Sequence, residues 1–426
     1  MHRSAEPLTY YQATANSYSG YPALAGEHTA DVCVIGGGFT GLSAALELAV
    51  RGFRVILLEA RTIAAGASGR NGGQICTGYS CGMARIEREL GREQAQTCFD
   101  LAEKGKAMIA SNIAAYGISC DLRWGYLHVA ARASAVAELR TMADELSSYG
   151  YDGLSLLDKA ELAERLGSPL YHGALRESRA GHFHPLNYCL GVAAACTEEG
   201  VEIFEMSPAV SVTGGSFPVV TTPNGRVSCK FVVAAGNAYL GNLVPEIRPR
   251  IMPVGSFVIA TEPLPDDIAS GLIRDEEAVA DTNFILDYFR LTHDRRLLFG
   301  GRCTYSGVLP RDVEPWMRPR LARVFPQIAD VRIDYGWGGF IGISMNRMPD
   351  IGRIDQTIYY AQGFSGQGVV VGSLCGRLMA EAIAGQAGHF DILARIRHRP
   401  FPGGSLLRMP LLVLAMTWYR LRDALG

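Results

Sequence analysis

Lysine is scarce in this chain: Lys104, Lys106, Lys159 and Lys230 are four among forty basic residues, and none follows position 230. Arginine therefore carries nearly all the positive charge. An excess of either sign is also missing. With a formal net charge of −2 and both signs spread along the length, no basic stripe marks a nucleic-acid partner. No run approaches the roughly 20 apolar residues that span a bilayer, and the start, MHRSAEPLTYYQATANSYSG, lacks the apolar core of a signal peptide. A cytoplasmic location is expected. The ten cysteines form no C-x-x-C pair, and Cys33, Cys229 and Cys375 lie in apolar runs, so they read as buried, reduced thiols. His182 and His184 form an H-x-H pair, but a third ligand at sensible spacing is missing and no metal is expected.

What is present is enough for two or three domains: 426 residues, 48% apolar and 19% charged. The segment ADVCVIGGGFTGLSAALELAVRGFRVILLEA reads as a strand (32–35), a glycine turn, an amphipathic helix and a second strand (55–58). Helical periodicity follows around 94–116 and 133–149, with a strand at 122–130 between them. A helix opens at Pro185, and strands are expected at 201–204, 209–213, 219–221 and 227–234. Alternating stretches at 251–260 and 284–301 suggest an antiparallel sheet, with a helix near 316–325. A last strand at 358–361 runs into a glycine-started helix.

The fold expected is α/β: a discontinuous Rossmann-type nucleotide-binding domain (1–85, 185–245 and 335–400) and a mainly antiparallel sheet domain with helices (86–184 and 246–334). A tail helix (401–426) is expected to dock on the protein itself, although its apolar face beside Arg408, Arg420 and Arg422 would also suit a peripheral membrane contact.

Gly36, Gly38 and Gly41 have G-x-G-x-x-G spacing between strand and helix. The first permits the turn, the second admits a pyrophosphate and the third allows close packing. Glu59 ends the second strand, where a carboxylate can accept ribose hydroxyls. FAD and NAD both suit this unit. The loop Gly66-Ala67-Ser68-Gly69-Arg70-Asn71-Gly72-Gly73-Gln74 favours FAD, because an NAD site would proceed directly to another βα unit.

At these residues the chain resembles the D-amino-acid-oxidase superfamily of flavoenzymes, in particular its gamma-glutamylputrescine oxidoreductase branch. The likeness is carried by YYQATAN, GASGRNGGQ, GHFHPLN (181–187), AAGNAYLG (234–241), DYFRL (287–291), RMPDIGR (347–353) and FPGGSLLRMP. It implies a flavin domain roofed by a sheet domain, with substrate between. It further implies that Gly36, Gly38, Phe39, Thr40, Gly41, Glu59, Ala60, Arg61, Gly66, Ala67, Ser68, Arg70, Asn71, Gly72, Gly73 and Gln74 surround FAD. Val210 would meet the adenine, Ala235 and Gly236 the pyrophosphate, and Gly342, Gly366, Gln367, Gly368 and Val369 the flavin ring, mostly through backbone.

Four departures from the family pattern matter. Gln367 stands where relatives usually carry histidine. The segment 337–352 contains no cysteine, so FAD is expected to be noncovalent, and the absent lysine leaves the electron acceptor open between oxygen and a quinone. Ile341 replaces the arginine with which the glycine-oxidase branch grips an α-carboxylate, which favours an amine whose carboxylate is distant or missing. Tyr288, Arg290 and Trp337 are expected to line the substrate pocket. The resemblance implies oxidation of gamma-glutamylputrescine or a related amine to an imine, with peroxide formed from oxygen. The alternatives are an imino acid such as L-pipecolate, suggested by CDLRWGY and Tyr305–Gly307, a quinone-linked dehydrogenase, and a flavin-binding regulator without turnover.

Overall fold

The computed structural model describes residues 7–304 and 309–404. The expected tail helix beyond Gly404, and Tyr305–Gly307, lie outside the described residues. Strands Val32–Ile35 and Val55–Leu58 are buried at every position, because both faces of their sheet are covered. This six-stranded sheet runs, edge to edge, Asp350–Ile354, Ile358–Gln362, Phe231–Ala234, Val32–Ile35, Val55–Leu58 and Glu202–Phe204. All pairings are parallel except that of the first strand. Helices Phe39–Val50, Pro185–Glu198, Arg92–Ala115 and Val370–Ile383 share one core on one face. On the other face Cys33, Ile35, Ile56 and Leu58 meet Val220 and Val227 of a small sheet built from Gly26–Thr29, Gly225–Ser228, Val219–Thr221 and Ser211–Thr213.

The single strand expected at 227–234 is in fact two strands in two sheets, Gly225–Ser228 and Phe231–Ala234. Asp31 causes the break: its carbonyl accepts from the amides of Lys230 and Phe231, and its carboxylate lies 2.9 Å from the Lys230 ammonium. Apolar alternation marks both strands but carries no sign of that turn.

Among the described residues the large sheet has nine strands, in the order Ile333–Ser344, Ile251–Thr261, Leu297–Thr304, Tyr288–Leu291, Ala278–Asp281, Arg123–Val129, Ala174–His182 and Gln74–Ile75, with Leu154–Leu157 also beside Ala174–His182. It is antiparallel apart from the pairing of Ala278–Asp281 with Arg123–Val129. One face buries Leu127, Val129, Phe257, Ile259, Val279, Phe289 and Phe299 with Met317 and Leu321 of helix Glu314–Val324. By the two-residue period of a strand, Tyr126, Tyr288, Arg290 and Trp337 point the other way, toward the loop that follows Val55–Leu58.

One expected boundary falls inside a strand, and the two expected units share packing. Strand Ile333–Ser344 begins before residue 335 and pairs along its length with Ile251–Thr261. Helix Arg92–Ala115 packs on Val370–Ile383: a Cβ on Gly105 would lie 3.1 Å from Val370.

Candidate active site

The glycine turn is held by contacts that exclude side chains. Gly36 has φ +109°, and a Cβ there would sit 3.0 Å from the carbonyl of Ala235. On Gly41 it would lie 1.8 Å from the Gly36 carbonyl, so strand and helix touch backbone to backbone. On Gly38, which precedes helix Phe39–Val50, it would meet the Ser68 hydroxyl at 2.6 Å. That hydroxyl accepts from the Phe39 amide (3.0 Å) at the helix N-terminus, where an anion is stabilised. Thr40 is buried under helix Val370–Ile383, since a Cβ on Gly376 would come 2.2 Å from its carbonyl.

Glu59 turns back over this turn. One carboxylate oxygen accepts from the Gly37 amide (2.7 Å), the other from the Arg61 amide (2.9 Å). Burial lifts its carboxyl above the usual range, and the two amides oppose that rise. Each oxygen retains a free lone pair for a ribose hydroxyl. Ala60 is exposed beside it, and Arg61 donates to the Ala65 carbonyl (2.8 Å).

The loop 66–74 is held from within and from the sheet. Asn71 donates to the Ala67 and Ser68 carbonyls (3.0 and 2.7 Å) and accepts from the Gly73 amide (2.7 Å). Gly66 packs 3.3 Å from the Tyr239 ring, measured from where a Cβ would stand. Arg70 reaches the Ala65 carbonyl (3.1 Å) and the Gly338 carbonyl (3.0 Å), and its own carbonyl accepts from the Trp337 indole (3.0 Å). Gln74 accepts from the Tyr126 hydroxyl (3.0 Å) and donates to the Val279 carbonyl (3.1 Å), so its side chain faces the sheet.

Two expected pocket residues have different surroundings. Arg290 is 4% exposed and donates to the carbonyls of Gly72 (2.8 Å), Phe183 (3.1 Å) and Leu291 (3.1 Å) and to the Tyr11 hydroxyl (3.3 Å). With these donors taken it braces the double-glycine loop rather than waiting for a substrate carboxylate. Trp337 is likewise buried, its ring 5.5 Å from that of Tyr11, because its indole N–H serves Arg70. Tyr288 remains partly exposed; its ring covers Gly300 and Gly72, where added Cβ atoms would lie 2.0 and 2.7 Å away. Ile341 shares the strand face of Trp337 and Gly339, and Gly339 lies against Arg70.

At the opposite wall Gly366 has φ +100° and open space where a Cβ would be. The buried amide oxygen of Gln367 has no hydrogen-bond partner among the described residues. Gly368 and Val369 lead into helix Val370–Ile383. The Gly342 carbonyl accepts from the Ser365 amide (2.9 Å), and Ala235 bonds to the Ile35 carbonyl (2.9 Å) before Gly236 opens a short 3-10 turn. Val210 has its side chain 59% exposed and its amide paired with Thr221 (2.8 Å). A helix N-terminus with a hydroxyl, a turn that Cβ atoms would fill and an orphaned amide oxygen together fit a dinucleotide with a hydrogen-bonding ring such as FAD.

Sequence reasoning missed four contributors. Tyr11 receives Arg290 and donates to the Asn71 carbonyl (2.7 Å). Asn237, at φ +43°, accepts from the Gly363 amide (3.0 Å) and fills the space beside Gly342. Glu205 accepts from the Tyr21 amide (3.1 Å), the Ile63 amide and the Tyr18 hydroxyl. Beyond Gln74, buried Lys106 donates to Thr77 (2.8 Å), and Thr77 to Glu177 (2.6 Å), whose other oxygen meets His128 (2.6 Å). Burial alone would lift the Glu177 carboxyl; the bond and charge of His128, then Thr77 and Lys106, bring it down to about 2. YYQATAN and AAGNAYLG signalled Tyr11 and Asn237, but only as strings. His182 and His184 do not converge: the first meets the Glu276 carbonyl (2.8 Å), the second accepts from the Asn187 amide (3.1 Å) as a helix cap.

Residues 31–382 match the FAD dependent oxidoreductase family. The chain is 44% identical over 419 residues to gamma-glutamylputrescine oxidoreductase of Escherichia coli (strain K12), covering 98% of each. It is 39% identical over 422 residues to probable oxidoreductase OrdL of Haemophilus influenzae, covering 97% of each. Glycine oxidase from Geobacillus kaustophilus superposes with a TM-score of 0.73 at 21% identity, over 87% of this chain and 100% of that one, a likeness of fold. The chain thus belongs to the FAD dependent oxidoreductase family, in the branch that holds gamma-glutamylputrescine oxidoreductase.

Proposed function

We propose that this oxidoreductase takes a hydride from the carbon beside a primary amine, most closely that of gamma-glutamylputrescine or a related gamma-glutamyl amine or polyamine. The imine hydrolyses to an aldehyde and ammonia, and oxygen is reduced to hydrogen peroxide. The observation that carries the substrate class is Ile341 on the inner face of strand Ile333–Ser344: an α-carboxylate there would be desolvated without a partner. The 44% identical relative supports the same class by its name.

Noncovalent FAD, when bound, supplies the ring that accepts the hydride. In this reading Glu59 holds the ribose, Ser68 and the Phe39 helix end hold the pyrophosphate, and Gln367 completes the ring's hydrogen bonds. The flavin unit and the sheet unit act as two domains with the substrate between them. Arg290, Tyr11 and Trp337 position the loop 70–73. Tyr288 lines the pocket; burial holds its phenol well above the ordinary range, so it stays a neutral donor. Apolar walls favour the uncharged amine, the form that can give up a hydride. The protein acts in the cytoplasm.

Anaerobic stopped-flow reduction of the bound flavin by gamma-glutamylputrescine, putrescine, L-pipecolate, sarcosine and D-alanine tests this reading. The first should react at least about ten times faster than the last two, as loss of a charge-assisted pair implies. Equal rates with sarcosine or D-alanine would remove the argument from Ile341. Acid precipitation should release all yellow colour to the supernatant, and peroxide assay after re-aeration separates oxygen from a quinone as acceptor.

A further inference from the structure

Arg347 is a cation without an anion among the described residues, in a turn beside the hairpin that carries Tyr288. It is half-buried, between strands Ile333–Ser344 and Asp350–Ile354. Its backbone is pinned on both sides: the amide donates to the Ser344 carbonyl (3.1 Å) and the carbonyl accepts from the Ser80 hydroxyl (3.2 Å). Its φ of +59° is in the left-handed region, which a non-glycine residue occupies at a cost. Asn346 stiffens the same turn, accepting from the Ser344 hydroxyl and the Met348 amide (3.1 Å each). The guanidinium has no carboxylate or hydrogen-bond acceptor among the described residues; it lies over the Phe284 ring, 4.8 Å from its centroid.

This contact joins the turn after strand Ile333–Ser344 to the hairpin that carries Tyr288. Phe284 lies between strands Ala278–Asp281 and Tyr288–Leu291, in the hairpin that carries Tyr288. On the Arg347 side the Ser344 amide donates to the Ser365 hydroxyl (3.3 Å), one residue before Gly366 and Gln367. The two loops that meet here are open to solvent: Phe284 is 55% exposed, Leu286 39% and Met345 50%. Stacking on a ring occupies the guanidinium face and leaves its edge N–H groups free for a bidentate carboxylate.

We infer that Arg347, with Phe284 as its platform, binds the distal carboxylate of the substrate, so that the enzyme selects amines carrying a carboxylate several bonds from the reacting carbon. This rests on the amine-oxidising reading above. Among the described residues considered for that role, Ile341 is apolar, and Arg290 already donates to Gly72, Phe183, Leu291 and Tyr11. A carboxylate held by Arg347 leaves the far amine to extend toward Tyr288, which shares a hairpin with Phe284.

The test compares gamma-glutamylputrescine with N-acetylputrescine, which keeps the amine and lacks the carboxylate, by anaerobic flavin reduction in wild type, Arg347→Gln and Arg347→Lys holoenzymes. In Arg347→Gln the ratio of the two apparent dissociation constants should shift by about 10- to 100-fold against gamma-glutamylputrescine, with partial recovery in Arg347→Lys. Equal shifts for both amines, or none, overturn the inference. Calorimetric titration with gamma-glutamylethylamide, which has the glutamyl carboxylate and no terminal amine, reads binding without turnover. Its binding should be weakened in Arg347→Gln, and no binding to wild type overturns the assignment. If no amine reduces the wild-type flavin, the amine-oxidising reading falls, and this titration still decides the role of Arg347.

Discussion

The two sides of the cleft are made of different material. On the nucleotide side the contacts are backbone and short side chains: Gly36, Gly38 and Gly41 approach neighbours so closely that an added Cβ would stand 3.0, 2.6 and 1.8 Å from them. On the sheet side the contacts are long side chains: Arg290, Trp337 and Tyr11 reach across to the carbonyls of residues 70–72. The first wall is defined by what it excludes, the second by what it supplies. The loop between them belongs to both, since its carbonyls are satisfied from the sheet while Ser68 faces the helix end.

The nucleotide wall has least room at Gly41. Gly41→Ala puts a methyl into the Gly36 carbonyl, a backbone atom with no room to yield, and should cost more than about 3 kcal/mol. Purified protein should be colourless or aggregated; a yellow, stable Gly41→Ala holoenzyme would show that the nucleotide wall yields.

Arg290→Met probes the other wall. It would strand the buried carbonyls of Gly72, Phe183 and Leu291, at roughly 1–3 kcal/mol for each one left unpaired, partly relieved by relaxation. Melting temperature and flavin retention should both drop. If both hold while saturation by a carboxylate-bearing amine weakens, Arg290 is a substrate anchor and the bracing role is wrong.

A smaller effect sharpens the contrast through pH. Burial first, and the Arg290 charge next, push His182 and His184 down to about 3. The folded chain keeps both neutral where the unfolded chain takes up protons, near 6.5. Their contribution is therefore complete above pH 6.5 and is lost as pH falls toward 3. The slope should reach about 1.4 kcal/mol per pH unit for each histidine. His184→Asn, which keeps a capping acceptor, should remove one share of that slope between pH 7 and pH 5 in urea unfolding of the holoenzyme. An unaltered slope would place the proton uptake elsewhere.

What could be read from the sequence was local. The turn from Gly36 to Gly41 and the acid at Glu59 lie in one βαβ unit, so spacing alone places them together. Alternation correctly put Tyr288 and Arg290 on one face, but it does not say what that face meets, and the chain 218 positions away decides that Arg290 holds Gly72. Tyr11, Asn237 and the Lys106–Thr77–Glu177 chain escaped for the same reason. Each acts on a segment distant in sequence, and each looks like an ordinary polar residue in its own neighbourhood.

The pairing of Phe231–Ala234 has a consequence for how the protein is made. Val232 sits between Cys33 on one side and Ile358 on the other, so the sheet that holds the nucleotide cannot close until most of the polypeptide has left the ribosome. At about 5–20 residues per second, the first βαβ unit waits on the order of tens of seconds for its partners. Flavin captured by so late a structure binds near the end of synthesis, and its supply then draws newly made chains toward the folded state by mass action.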